Sequence, residues 1–359
     1  MKNYQVLVIN PGAVSTKLAL FDSEDEVWSE SIYHPESELE QFVSVPDQQD
    51  YRTEAITSAA EDRGIEWDSL SAVSARGGLM KPVAGGTYEV NEQMLADLEA
   101  GYQGEHASNL GGIIAAKVAR DLGIRAYVVD PVATDEMSDV ARFSGLKGIT
   151  RRSLAHTLNI KAVCRDVFSA PGSSYSEVNA VVAHLGSGVS VTAHSRGRMV
   201  DVNNANEEGP FSTERTGGLP VLQLVDLVAR RIAAGETGRS VGKMLRSRGG
   251  LSSYLGTRDL KRVEQQIDRG DEEAARVLRA LAYQVSKEIG AMCASLCGHV
   301  DGIILTGGMA RSERLVGLIT RRVERLGPVT ILPGEREMEA LALGALRVLR
   351  GEEEPRIYR

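Results

Sequence analysis

The stretch VLVINPGAVSTKLALFD (6–22) sets Asn10, Ser15, Thr16 and Lys17 on a short break between two apolar runs. An amide, two hydroxyls and an ammonium on a tight turn suit phosphate and magnesium. Backbone N–H groups of such a turn form an anion-binding concavity. The asparagine oxygen orients a metal-bound water, and lysine supplies positive charge. The pattern differs from G-x-x-x-x-G-K-[ST], so P-loop chemistry is not implied. An ordinary hairpin with polar surface residues has the same composition.

A second Gly/Ser turn, AHLGSGVSV, carries His184, Gly186, Ser187 and Gly188. Two such turns can grip one phosphate chain from both sides, although either alone also fits a plain hairpin. In ILTGGMARSERL, Gly307 and Gly308 join a strand to a helix, where a ligand can approach the backbone closely. Arg76, in SARGGL, and Arg215, in GPFSTERTGGLP, are loop arginines framed by glycines. Their guanidinium forks match carboxylate or phosphate, and a surface salt bridge is the competing use. His156 falls on a helical stretch, where histidine is more often structural. Asp130, before Pro131, ends a strand, and Glu335, Glu337 and Glu339 open the last helix. Carboxylates there complement the helix dipole whether or not one of them reaches a metal-bound water.

The elements that must hold these groups follow from periodicity. Residues 4–10, 17–21 and 26–33 read as strands, 47–64 as a helix ending at Gly64, and 70–80 as a strand. GGTYEVN reads as a turn, and Asn91 as the cap of the helix EQMLADLEAG. A helix over 109–123 and a strand over 126–130 complete the first half. The second half restarts the pattern: 179–201 is an apolar run, a turn and an apolar run. Helices follow at 219–235 and 272–297, then a strand at 301–309, a helix at 310–327 and a helix at 337–350, with GEEEPRIYR as a polar tail. Alternating strands and helices with a duplicated opening predict an α/β protein of two similar domains, divided near residue 150.

At 359 residues and 42% hydrophobic, the chain can bury a large core. Its net charge of −8 and lack of a basic tract argue against a nucleic-acid or anionic-membrane surface. No apolar run of about eighteen residues and no signal-peptide pattern is visible, so the expected location is the cytoplasm. Three sparse cysteines, Cys164, Cys293 and Cys297, fit a reducing compartment and read as inert buried thiols.

Taken together, VLVINPGAVSTKLALFD, ARGGLMKPVAGGTYEVNEQML, EHASNLGGIIA, AYVVDPVATDEMSDVARFSG, HTLNIKAV, HLGSGVSV, NEEGPFSTERTGGLP, ILTGGMA and PGEREMEALALGAL resemble the butyrate kinases of the acetokinase family. These stretches span nearly the whole chain in family order. The resemblance implies two actin-like ATPase (ribonuclease H-like) domains with a duplicated βββαβαβα core and ATP in the cleft between them. The domains would cover 1–150 and 151–336, with a helix and tail at 337–359 packing back on the first. It implies a phosphotransferase with a carboxyl group as acceptor, using ATP/ADP and Mg²⁺ to convert butyrate or a similar short or branched acid reversibly to its acyl phosphate. It also implies a homodimer or larger assembly. By the same resemblance, Asn10 holds Mg²⁺ through water, and Ser15, Thr16 and Lys17 approach the phosphates. Arg76 and Arg215 flank the transferring phosphoryl group and the carboxylate, and His156 contacts that group. Asp130 and Glu337 support the metal and the arginines. His184, Gly186, Ser187 and Gly188 form the second phosphate loop, and Gly307 and Gly308 the adenosine-side turn. His106 lies near the acyl substrate.

Three departures from the family pattern bear on ligands, the first on phosphate and the other two on the acid. Ala13 and Val14 remove hydroxyls from the opening turn. Ala155 stands where relatives carry Phe, and Gly77 and Gly78 where acetate kinases carry bulky valines, so a pocket larger than acetate requires is expected. A carboxylate is already ionised near neutral pH, its pKa being ~4, so it needs charge cancellation rather than a general base. A kinase for isobutyrate or propionate, or a non-catalytic Hsp70-like nucleotide switch, is the alternative. Arg76, His156 and Arg215 together have no evident use in a mere switch.

Overall fold

The apolar runs around the opening turn pair as neighbouring strands. In the computed structural model, which describes residues 3–170, 172 and 174–359, β1 (Gln5–Pro11) and β2 (Ser15–Asp22) are antiparallel with Asn10 opposite Lys17. The chain continues through β3 (Asp25–Tyr33), α1 (Glu36–Leu39), α2 (Gln49–Asp62), β4 (Leu70–Arg76), β5 (Thr87–Glu89), α3 (Glu92–Glu99), α4 (Asn109–Leu122) and β6 (Arg125–Val129). Next come α5 (Thr157–Val167), β7 (Asn179–Leu185), β8 (Val189–Ser195), β9 (Arg198–Val202), α6 (Val221–Ala233), α7 (Gly238–Ser247), α8 (Gly250–Leu255) and α9 (Leu260–Asp268). It ends with α10 (Glu272–Ser295), β10 (Gly302–Gly307), α11 (Glu313–Val323), β11 (Val329–Pro333), α12 (Glu337–Leu349) and β12 (Arg356–Ile357).

The first sheet runs β12-β5-β6-β4-β1-β2-β3 and the second β11-β10-β7-β8-β9. The segment β6-β4-β1-β2-β3 repeats as β11-β10-β7-β8-β9, so the repeat in the sequence is a repeat of sheet topology. The chain forms two compact units. One comprises Met1–Asp135, Thr157–Asn159 and Arg336–Arg359; the other comprises Glu136–His156 and Ile160–Glu335. The division therefore falls at Asp135/Glu136 rather than near 150, and residues from Arg336 onward belong with the first unit.

In the first unit Leu7, Ile9, Leu18, Val73 and Ala75 from the sheet meet Leu110, Ile114 and Ala115 of α4. In the second, Val181, Ala183, Val191, Ile303 and Leu305 pack with Leu278, Leu281, Val285 and Ile289 of α10. Central strands buried on both faces need this continuous apolar character. Helix ends follow local chemistry. Asn91 accepts the Met94 N–H as the cap of α3, and Gly123, at φ +66°, closes α4.

Several readings of the sequence change. GGTYEVN contains β5, antiparallel to β6, instead of only a turn. The polar tail holds β12, parallel to β5, and Tyr358, which is 2% exposed. The Tyr358 hydroxyl donates to Asp97 and accepts the Lys81 N–H. The segment after β10 begins as a 3₁₀ turn, Gly308–Arg311, before α11 starts. Cys293 is buried in α10, but Cys297 lies beyond the helix end and is exposed. Helix α6 has an apolar sequence yet no buried residue, with Leu222 80% and Val221 70% exposed. No helix among the described residues is long and apolar enough to cross a membrane.

Candidate active site

In open α/β sheets, ligand chemistry gathers at the carboxyl ends of parallel strands. In the first unit β1, β4 and β6 are parallel neighbours, and they deliver Asn10, Arg76 and Asp130 at their C-terminal ends. Glu337 arrives from the first turn of α12. One of its oxygens, Oε2, accepts from Asn10 Nδ2 at 2.7 Å and from Arg76 Nη1 at 3.3 Å. All three side chains are largely withdrawn from solvent, with Asn10 5% exposed. Asn10 thus spends its amide nitrogen on Glu337 and keeps its oxygen as an acceptor. The Arg76 Nε is buried and has no hydrogen-bond partner among the described residues. An orphaned buried donor beside a single carboxylate fits a ligand oxygen.

Small residues make this geometry possible. A Cβ on Gly111 would strike the Arg76 carbonyl, so glycine lets α4 press against the end of β4. Asp130 is buried at φ +38°, a conformation uncommon for a residue with a side chain, and its Oδ1 accepts the Gly86 N–H at 2.8 Å. His106 lies on a loop with Nδ1 2.8 Å from Ser108 Oγ. Desolvation, and then the Arg76 charge, lowers its pKa.

Strand alternation divides the opening turn. Lys17 is exposed and Ser15 half-buried, whereas Thr16 points inward. The Thr16 hydroxyl lies 2.9 Å from His34 Nε2 and accepts from Arg52 Nη1 at 3.3 Å. Thr16 is therefore part of the interior rather than of the phosphate-facing set expected from the sequence.

Gly77 and Gly78 also differ from expectation. A Cβ on Gly78 would stand 2.5 Å from Asn109 Cα, and one on Gly77 3.1 Å from Pro131 Cα with closer contacts to Pro131 and Val128 side chains. The space released by these glycines is filled by protein, so they do not enlarge a pocket. Asn109 Oδ1 accepts the Leu79 N–H and holds that packing.

In the second unit the equivalent ends belong to β7 and β10, which carry His184 and Gly307. His156 is the N-cap of α5 rather than a residue within it. Its imidazole is directed to β8, with Nδ1 3.0 Å from Ser190 Oγ. It stacks on His184 at 4.0 Å between ring centroids and 7° between planes. Ser190 is the cross-strand partner of His184, so the β7–β8 pairing fixes both supports of His156. Glu335 Oε1 lies 3.6 Å from His184 Nε2.

The Gly186–Gly188 turn joins these strands, and Arg215 lies over it. A Cβ on Gly188 would be 2.7 Å from the Arg215 Cζ, so only glycine leaves room for the guanidinium. Ser212 ties the two loops together. Its buried hydroxyl donates to the Ser187 carbonyl and accepts the Arg215 N–H at 3.0 Å and the Glu214 N–H at 3.3 Å. Burial lowers the pKa of Arg215 while Glu214 opposes the shift; a guanidinium stays charged regardless. Gly307, at φ +90°, brings the end of β10 against Leu185, where a Cβ would be 2.7 Å from the Leu185 nitrogen. Apart from its chain neighbours, no described residue lies within 4 Å of where a Cβ on Gly308 would be. Ala155 packs with Met137, Ile160 and Tyr175.

The sequence model of the acetokinase family matches residues 143–332, more than half of the chain. The chain belongs to the acetokinase family. Acetate kinase from Porphyromonas gingivalis superposes with a TM-score of 0.79 at 19% identity, over 96% of this chain and 100% of that one. A propionate kinase from Francisella tularensis gives 0.74 at 15%, over 94% and 98%. Acetate kinase from Entamoeba histolytica gives 0.74 at 15%, over 95% and 98%. This family member thus has the acetate-kinase fold, α/β with two sheets, and is a carboxylate kinase.

Two residues of these networks, Arg52 and Ser212, lie outside the sequence-based site, and only Arg52 carries a signal. Arg52, Ile56 and Ala60 share one face of α2 at four-residue spacing, which places Arg52 on the buried stripe. Ser212 has no signal beyond its loop.

Proposed function

We propose that this acetokinase-family member is a butyrate kinase: it transfers the γ-phosphoryl group of ATP in line to the carboxylate of butyrate or a similar short or branched acid, and can run in reverse to make ATP. The observation that supports it most is the Asn10–Arg76–Glu337 cluster, in which the Arg76 guanidinium keeps a buried Nε with no partner among the described residues. A carboxylate oxygen attacks phosphorus, the bond from phosphorus to the β-γ bridging oxygen breaks, and ADP leaves. No proton need be removed. Arg76 and Arg215 offset the charge of nucleophile and phosphoryl group, and His156, oriented by Ser190 and the His184 ring, donates to a phosphoryl oxygen.

Magnesium commonly binds through one or two carboxylates and substrate phosphates. Glu337, Asn10 and Asp130 are the groups that would hold it, and the ion would supply positive charge to offset that of the phosphates. Ser15, Lys17 and the Gly186–Ser187–Gly188 turn are assigned to phosphate, and Gly307 and Gly308 to the adenosine side. His106, Gly78 and Ala155 are assigned to the acyl side, Gly78 through its packing on Asn109.

The acid-length assignment rests on the butyrate-kinase-like stretches and on Ala155. The filled spaces at Gly77 and Gly78 favour propionate as the second reading. The odd, sparse cysteine count supports a reducing cytoplasm. The exposed apolar residues Val221, Leu222, Val225 and Ile232 of α6 support a homodimer or larger assembly. Hydroxamate trapping of acyl phosphate with ATP and Mg²⁺ tests the assignment across acetate, propionate, butyrate, isobutyrate and valerate. Product peaking at four or five carbons, and lost in Arg215→Ala, is the expected outcome. Equal kcat/KM with acetate and butyrate would overturn the acid assignment. ATP binding without product from any acid would favour a nucleotide switch.

A further inference from the structure

Arg52 is 1% exposed, yet it has no carboxylate partner among the described residues. Its guanidinium is spent on the backbone of the opening turn. Nη1 donates to the Gly12 carbonyl at 2.9 Å and, more weakly, to the Ser15 carbonyl at 3.5 Å; Nη2 donates to the Ala13 carbonyl at 2.9 Å. Gln48 Oε1 accepts from Nε at 3.1 Å and from Nη2 at 2.9 Å, which fixes the plane of the fork. Burial of an unpaired cation is costly, so a structural role alone would be met at lower cost by an apolar side chain.

The peptide unit explains what the arrangement achieves. A trans peptide points its C=O and the following N–H in opposite directions. Drawing the Gly12 and Ala13 carbonyls inward to Arg52 therefore turns the Ala13 and Val14 N–H groups away from it. Those two amides bond to no described residue, and both residues are exposed. The turn closes through Gly12 N–H to the Ser15 carbonyl at 2.6 Å, while the His34 N–H takes the Val14 carbonyl. The result is a pair of outward amides with a fixed positive charge behind them. Ala13 and Val14 have no hydroxyl to offer an anion, so backbone amides are what this segment can present.

We propose that Arg52 is a positioning residue for phosphate: it holds the 12–15 turn so that the Ala13 and Val14 amides bind a phosphate oxygen of the nucleotide. This inference rests on the reading of the opening turn as a nucleotide site. Lysine cannot substitute, because an ammonium lacks the planar fork that takes two carbonyls at once.

Titration calorimetry with ATP and Mg²⁺ on wild type, Arg52→Lys and Arg52→Gln, with steady-state kinetics, tests it. Both variants are expected to weaken ATP binding at least tenfold and to raise the KM for ATP, with the KM for the carboxylate within twofold. Folded Arg52→Lys that binds ATP like wild type overturns the proposal. Amide hydrogen exchange on the wild type decides the matter if the variants do not fold. ATP is expected to protect the Ala13 and Val14 amides, and saturating ATP that leaves them unchanged overturns the proposal. Wild type that shows this protection but makes no acyl phosphate rejects the kinase assignment and leaves Arg52 in its role. Wild type that makes acyl phosphate alongside an unaffected Arg52→Lys rejects the role alone. Wild type that binds no ATP rejects both.

Discussion

Gly188→Ala tests how closely the second Gly/Ser turn and Arg215 are matched. The φ of Gly188 lies outside the left-handed region, so alanine adds no backbone strain there. The new methyl, however, would stand 2.7 Å from Arg215 Cζ and 3.2 Å from Nε, and closer to Nη1. Non-bonded heavy atoms sit roughly 3.5 Å apart or more, so the guanidinium must withdraw by about an ångström. A misplacement of that size at a catalytic group costs roughly 100-fold, equal to about 2.7 kcal/mol of barrier. Because the far end of an arginine can swing aside, the fold should lose at most ~1 kcal/mol. The assay is acyl phosphate formation under saturating substrates, with thermal melting as the control. Added to Arg215→Ala, the alanine should change the remaining rate less than twofold, since neighbours sharing one contact are non-additive. A Gly188→Ala enzyme with kcat within threefold of wild type would refute the geometric reasoning. So would an equal loss with Arg215 already removed.

Glu337→Gln removes the charge that Asn10 and Arg76 share on one oxygen. The expected result is a kcat/KM at least about 100-fold lower and a raised Mg²⁺ requirement, read from a metal titration of the rate. Tyr358→Phe leaves Asp97 and the Lys81 N–H each short of a partner, so urea unfolding should show a loss of about 1–3 kcal/mol with activity retained in the folded enzyme. Burial, aided by the Arg52 charge, lowers the pKa of His34 from 6.5 to about 4, so between those values the unfolded chain binds more protons than the folded one. Stability should be full above pH 6.5 and fall by on the order of 3 kcal/mol as pH drops toward 4. His34→Gln should flatten that slope in unfolding measurements taken across the window.

The duplicated meander was legible because central strands are apolar along their length: Val6 to Ile9 and Val181 to Ala183 are fully buried, and their runs show it. Caps were legible where one residue type has one use, as at Asn91. Thr16 could have been read correctly by carrying the two-residue period of β2 through to its first residues. The strand near the C-terminus was hidden because its two paired residues are exposed and only Tyr358 beside them is buried. No local pattern reports who fills a glycine's missing side chain, so Gly77 and Gly78 read as open space until Asn109, Pro131 and Val128 were seen against them. The support of His156 by Ser190 and His184 depends on cross-strand register, which composition does not encode.

The most direct test of the kinase assignment is the reverse reaction, with butyryl phosphate, ADP and Mg²⁺ supplied and ATP measured by luminescence. ATP formed in step with butyryl phosphate consumed, and lost in both Arg76→Ala and Arg215→Ala, is the predicted result. Butyryl phosphate that persists, or that is hydrolysed to phosphate with no ATP formed, would contradict it.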